Sequence, residues 1–292
     1  MQHLLDRVNE AYSGLSKRQK LIAEYIMKHH DKAAYMTASR LGETVGVSES
    51  TVVRFAVEIG YEGYPELQRA MQEMIRDKLT SVQRIDVASD RLDTGDILTS
   101  VMNQDIKLIK KTIEENNSES FAKAVDYILN AHKIYIFAVK SSFALARFLG
   151  YYLELIFGNV KIIETTSKSE MYEQLMRTGE NDVMIGISFP RYSSTTLEAM
   201  QFAAQQKAKV IAITDSMTSP VTKISNCTLV AKSDMASVVD SLVAPLSLIN
   251  ALIVATVVEK RDEVTQTFRQ LENIWDRYGI YVKNGENNSV EE

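Results

Sequence analysis

The sequence predicts a two-part α/β protein: an all-α N-terminal domain of helices joined by tight turns, then a three-layer α/β/α domain built on a parallel sheet. Three observations carry that prediction. At 292 residues the chain is at the length where a single core stops growing, and a domain averages roughly 100 to 200 residues. Up to about residue 80 the apolar residues recur with the helical period alone. Beyond about residue 105, short β-branched and aromatic runs alternate with helical stretches, as in a parallel sheet covered on both faces.

In the first part, "SKRQKLIAEYIMKHH" starts on Ser16 as a helix N-cap and sets Leu21, Ile22, Tyr25 and Ile26 along one face. Thr37 opens the next helix in "TASRLGETV". Gly46 then supplies a turn and Ser48 an N-cap for "SESTVVRFAVEIG", which Gly60 stops. Pro65 fits the first turn of "YPELQRAMQEMIRDK". Residues 1–78 form this domain. The stretch "KLTSVQRIDVASDRLDTGDILTS" loses its apolar period and gains Ser, Asp and Thr, which places a linker over 79–104. The second domain, 105–282, takes its strands from "KIYIFAV", "NVKIIE", "DVMIGIS", "AKVIAIT" and "CTLVA". Its helices are "SSFALARFLGYYLELIF", "SEMYEQLMRT" and "STTLEAMQFAAQQK", and two more, "DSLVAPLSLINALIVATVVEK" and "VTQTFRQLENIWDRYG", close it. The first of those two is apolar nearly all round, as in a helix buried between domains or subunits. The polar residues 283–292 read as a disordered tail.

Composition narrows the function classes. A hydrophobic fraction of 45% and a charged fraction of 24% are ordinary for a soluble domain, and the sequence offers no apolar run long enough to span a bilayer. The N-terminus lacks the apolar stretch of a secretory signal, so the expected location is the cytoplasm. The lone cysteine, Cys227, reads as a core residue, and the four histidines show no metal-ligand spacing. No metal or cofactor is expected. The net charge of −5 is uneven: residues 1–80 hold 11 basic and 11 acidic residues, leaving 22 and 27 to the rest. Charge alone does not mark a nucleic-acid binder.

"LGETVGVSESTVVRFAVEIG" has the layout of a helix-turn-helix, in which a second helix presents N-terminal side chains to base edges while apolar residues lock it to the first. Leu41, Val45, Val47, Val52, Val53 and Phe55 can form the lock. Ser48, Glu49, Ser50, Thr51 and Arg54 are the candidate DNA contacts, with Arg54 suited to guanine or phosphate. Pattern alone fits an ordinary amphipathic helix pair equally well. "MTASRLGETVGVSESTVVRFAVEIGYEGYPELQ", however, resembles the N-terminal domain of the RpiR family of bacterial transcriptional regulators over residues 10–75, through the "S-x-x-T-V-V-R-F" helix and the "G-Y-x-G-Y-P-E-L" segment. The resemblance implies binding to a double-stranded DNA operator.

In an open parallel sheet, ligands sit beyond the C-terminal strand ends, where helix N-termini offer free N–H groups. Two such loops are rich in hydroxyls and each carries a cation: "IFAVKSSFALA", with Lys140, Ser141 and Ser142, and "ISFPRYSSTTLEA", with Ser188, Arg191, Ser193, Ser194 and Thr196. A single hydroxyl at a helix start is usually an N-cap. Two cations at neighbouring strand tips favour an anion site. This domain resembles the sugar isomerase (SIS) domain that RpiR regulators carry, whose loops show "G-x-G-x-S" and "S-x-S-G-x-T" and bind phosphorylated sugars. Here Ala138 and Lys140 stand at the first loop's glycines and Ser142 at its serine. In the second, Ser188 is kept, Pro190 replaces a serine, Arg191 the glycine and Ser193 the threonine. Two close-approach glycines have become cations, so the pocket is reshaped.

An isomerase of this class would need a general base. Glu164, Glu170, Asp215 and Asp240 are near the strand tips, but none has a partnering histidine, and Asp215 and Asp240 read as a loop cap and a helix N-cap. A sugar-phosphate isomerase is therefore the second reading. The first is a non-enzymatic regulator that binds DNA and senses a small anionic effector such as a sugar phosphate, acting as a homodimer or tetramer joined through Ser241–Val258, with no membrane partner.

Overall fold

The computed structural model describes residues 4–75, 96–233 and 239–282; the expected tail, 283–292, and residues 79–95 of the expected linker lie outside them. The chain divides into two compact units. One is Met1–Lys110 with Phe189–Tyr192 and Ser233–Ser241, and the other is Lys111–Ser188, Ser193–Lys232 and Leu242–Glu292.

The first unit begins with five helices: α1 (Leu4–Ala11), α2 (Lys17–Ala33), α3 (Ala38–Val45), α4 (Glu49–Glu58) and α5 (Tyr64–Ile75). Helix α1 has no counterpart in the sequence reading. Ser16 starts α2 as expected, in a capping box where its hydroxyl accepts from Gln19 N at 3.4 Å and the Gln19 side chain accepts from Ser16 N at 3.0 Å. Ile22, Ile26, Leu41, Val52, Phe55, Leu67 and Met71 are fully buried in one cluster, each from a helical-period position. Leu21, expected to face inward, is exposed. The turn after α2 exposes carbonyls that the helix itself cannot satisfy. Helix α5 supplies the donors: Tyr64 Oη reaches Met36 O at 2.8 Å, Gln68 Nε2 the same oxygen at 2.7 Å, and Gln72 Nε2 Ala34 O at 2.9 Å. Burial holds the Tyr64 hydroxyl well above the ordinary tyrosine range, so it stays a donor.

From Ile97 the chain is helical again, through α6 (Ile97–Glu115), so the last residues of the expected linker are helix. The second unit continues through α7 (Ser118–Leu129), β1 (Ile134–Phe137), α8 (Ser142–Phe157), β2 (Val160–Ile162), α9 (Lys168–Leu175), β3 (Val183–Ile187), α10 (Ser194–Gln205), β4 (Lys209–Thr214), β5 (Cys227–Val230), α11 (Val243–Glu259) and α12 (Arg261–Tyr278). The strands form one parallel sheet in the order β2-β1-β3-β4-β5. All five lie where the apolar runs predict. Alternate residues serve opposite faces. Tyr135 and Phe137 join Met171 and Leu175 of α9 and Ala199 and Met200 of α10, whereas Ile136 faces α8 across Gly150. Both faces are thus covered, as in a three-layer domain. Cys227 is buried on β5; its thiol donates to Ser120 O at 3.1 Å, and burial pushes its pKa up.

Among the described residues no single helix is long and apolar enough to cross a membrane; α11 and α12 pass only as a pair, and they meet at 100°. No group of three or more His, Cys, Asp or Glu could hold a metal ion among those residues.

The α3–α4 corner closes tightly over Gly42. A Cβ there would lie 2.7 Å from Val47 O and 3.3 Å from Glu49 N, both backbone atoms that cannot swing aside. Gly42→Ala is expected to lower the stability of the helical unit by roughly 1–3 kcal/mol, seen as an earlier thermal transition in far-ultraviolet circular dichroism; an unchanged melt contradicts this packing.

Candidate functional site

The N-terminal candidate interface is the exposed face of α4. Gly46, at φ +76, makes the corner, and Val47 N closes it on Gly42 O at 2.8 Å. Ser48 occupies the N-cap position, yet its hydroxyl does not cap the helix; it bonds Ser50 Oγ at 3.0 Å and Thr51 Oγ1 at 2.8 Å. Glu49, Ser50 and Arg54 are exposed, and Arg54 Nε donates to Ser50 O at 3.2 Å. Thr51 differs from the sequence expectation: it is buried, with its hydroxyl taken up by Ser48. Val53 differs too. The sequence reading put it in the apolar lock, but it is 39% exposed, while its neighbours Val52 and Phe55 are fully buried.

One brace was missed by the sequence reading because α1 was. Arg7 of α1 donates through Nη1 to Gly60 O at 3.1 Å and stacks over the Tyr61 ring at 4.9 Å. Gly60, at φ +87, ends α4, so the arginine satisfies a carbonyl there and complements the negative end of the helix dipole.

The second candidate lies at the sheet. The order β2-β1-β3-β4-β5 reverses direction between β1 and β3, and in such sheets the crevice beyond the strand ends at that reversal is the ligand position. The two loops singled out in the sequence follow these two strands. In the first, Lys140 and Ser141 are exposed and Ser142 is buried as the first residue of α8. In the second, Ser188 and Thr196 are buried, Ser193 is half-buried and Ser194 exposed. Ser193 is the N-cap of α10, accepting from Thr196 N at 3.3 Å, so one of its roles is structural. Ser188 Oγ and Thr196 Oγ1 have no hydrogen-bond partner in the protein although both are buried. An unmet buried hydroxyl costs about 1–3 kcal/mol. Arg191 is exposed.

Three non-glycine residues with positive φ occur among the described residues: Lys140 at +56, Arg191 at +60 and Lys207 at +68. Lys207 follows the C-terminal end of α10, where such a conformation is common. Lys140 and Arg191 instead lie between a strand end and a helix start. They are two of the three residues that stand at glycines of the family loop patterns; the third, Ala138, has no positive φ. Each holds a left-handed conformation that glycine adopts freely, at a cost of about 1–2 kcal/mol for a residue with a Cβ. A left-handed Lys140 followed by Ser141 at φ −59, ψ −34 turns successive N–H groups toward one side, a shape that can cradle an anion.

The candidate bases of the enzymatic reading are occupied otherwise. Glu164 pairs with Arg147 at 3.5 Å, Glu170 accepts from the Thr165 hydroxyl, and Asp215 is buried beside Thr214, whose hydroxyl donates to it at 3.3 Å. Asp240 is not a helix N-cap, since α11 starts after Leu242.

The model for the helix-turn-helix domain of the rpiR family matches residues 2–78, and the SIS domain model matches residues 127–255. The chain belongs to the RpiR family. The first match reaches back over α1, the helix that carries Arg7. An HTH-type transcriptional regulator of Haemophilus influenzae is 24% identical over 279 residues, 93% of this chain and 96% of that protein. The crystal structure of the sugar isomerase domain of an RpiR transcription factor from Sphaerobacter thermophilus matches with TM-score 0.58 and 25% identity, covering 61% of this chain and 99% of that one. The NanR protein of Vibrio vulnificus, solved with ManNAc-6P, covers 93% of this chain and 98% of its own at TM-score 0.53; at 21% identity it shows the shared fold.

The strain at Lys140 gives a direct check. Lys140→Gly is expected to leave the regulator's stability unchanged or to raise it, by up to about 1 kcal/mol, because relief of the left-handed strain offsets the entropy glycine adds to the unfolded chain. A clear fall in thermal unfolding would contradict that conformation.

Proposed function

We propose that this RpiR-family regulator binds operator DNA as a two-fold dimer through α4 and senses a phosphorylated sugar or a related anionic metabolite at the β1 and β3 loops, without catalysing a reaction. It works where chromosomal DNA is, in the cytoplasm. The observation that carries the sensing half is the pair of buried hydroxyls without a hydrogen-bond partner in the protein, Ser188 just after β3 and Thr196 in the first turn of α10, beyond the strand-order reversal. They are prepaid donors for an anion. Lys140, Ser141, Ser142, Arg191, Ser193 and Ser194 complete the proposed site, with Lys140 and Arg191 adding charge where the family more often offers bare backbone. The domain boundaries we assign are 1–78 and 105–282.

Dimer formation is assigned to α11. Its sequence carries no charge before Glu259, and its outward residues include Val243, Val254 and Val258, the last 65% exposed. An exposed apolar row of that length is covered in most soluble proteins. A two-fold dimer would present two recognition helices to half-sites about one DNA turn apart.

Two measurements test this reading. Footprinting of the regulator on its own upstream region should protect two symmetric half-sites, and Arg54→Ala should weaken binding there by about 1–3 kcal/mol; a single unrepeated site overturns the dimer, and unchanged affinity overturns the role of Arg54. A thermal-shift screen of sugar phosphates, sugar acids and inorganic anions should find a stabilising ligand, worth about 2.7 kcal/mol at a hundred times its Kd. Ser188→Ala should lose that shift while retaining DNA binding. A screen in which no anion stabilises the protein overturns the sensing site.

A further inference from the structure

The exposed face of α4 carries an apolar pair that the packing of the helical unit does not explain. Val53 is 39% exposed and Val57 is 55% exposed, whereas Val52, Phe55 and Ala56 on the opposite face are fully buried. The two valines are four residues apart, so they share one face, next to Ser50 and Arg54. Valine is among the poorer helix formers because its χ1 is restricted, and an exposed position returns no burial for that loss. Alanine, lysine or glutamate would serve the folded unit better at both places. The same face holds Glu49 and Glu58 and only one cation, Arg54, so attraction to phosphates supplies little of what this surface can do.

A recognition helix finds one apolar group in the major groove, the C5-methyl of thymine, and small apolar side chains read it by contact. We propose that Val53, extended one turn on by Val57, reads thymine methyl groups, so that the half-site is specified by apolar contact as well as by Arg54. This rests on α4 being the recognition helix. Four residues of α-helix rise about 6 Å, close to two base steps of about 3.4 Å. A helix lying along the groove would therefore meet thymines about two base pairs apart.

The test begins with the full chain and a random DNA pool. Binding and amplification should enrich a site that contains thymine at a fixed position in each half-site. Replacing those thymines by deoxyuridine removes only the methyl groups, and should weaken binding by about fourfold per contact, the worth of burying one methyl group. Val53→Ala should weaken binding to the thymine site by a similar factor and should show no further loss on the deoxyuridine site. Its melting temperature should equal or exceed that of the parent, which separates lost contact from lost fold. If no sequence is enriched, the helix-turn-helix assignment itself falls. If a site is enriched but deoxyuridine is harmless at every thymine, or Val53→Ala stays fully sensitive to it, the assignment stands and the valine contact is overturned.

Discussion

The reversal of strand order between β1 and β3 governs the second unit. A right-twisted parallel sheet accepts only right-handed crossovers, so a chain that lays β2 on one side of β1 and β3 on the other must send its helices to opposite faces. The two connections then part beyond β1 and β3 and leave a crevice that neither can fill. Every feature of the candidate sensing site follows from that. Lys140 and Ser142 are there because α8 starts after β1; Ser188, Ser193 and Thr196 are there because α10 starts after β3. Ser188 and Thr196 hold buried hydroxyls that the chain itself leaves without a partner, open to an ordered water or a ligand.

That dependence explains what was legible in the sequence. The strands were, because burial on both faces leaves near-continuous runs such as "IYIF" and "VMIGI" that no helical face imitates. The two loops were, because their position follows from the fold class once the runs are placed in order. Conformation within the loops was only half legible. Lys140 and Arg191 stand out by comparison with a glycine pattern, but nothing in a lysine or arginine announces positive φ, and the sequence suggested altered bulk rather than conserved backbone. Helix α1 escaped because eight residues, with only Leu4 and Val8 buried, give too short a period to read. Thr51 and Val53 were exchanged for a related reason. Within "STVVRF" the threonine and both valines are all β-branched, and which of them faces inward depends on the angle at which α4 crosses α3, a tertiary fact fixed by Gly42 and Gly46.

The retained left-handed backbone bears on how the site changed. Relaxation to ordinary φ would relieve about 1–2 kcal/mol at each position. Both positions instead hold the strained conformation with a cation attached. Strain that persists where an alternative is available marks a constraint on the backbone path. The simplest constraint is that the N–H groups beyond β1 must still point toward one place. In the site we propose, the side-chain charge of Lys140 and Arg191 would stand beside that cradle, raising affinity for anions generally and leaving shape as the source of discrimination among them.

The helical unit makes the opposite trade. Residues 1–80 balance 11 basic against 11 acidic residues, so the net charge of this unit adds little non-specific attraction to the DNA backbone. A protein of this kind gains little affinity from DNA in general and must draw it from base contacts and from a second half-site. Each protomer offers a ten-residue helix with a handful of outward side chains, too few to single out one operator in a genome. In the two-fold dimer we propose, doubling them would multiply the specificity ratio without increasing background binding. Effector control also becomes cheap under these conditions. If neither half-site of the proposed dimer binds tightly alone, a small change in their spacing would remove the second contact and with it most of the affinity, so a coupling of about 1–3 kcal/mol would be enough to switch occupancy.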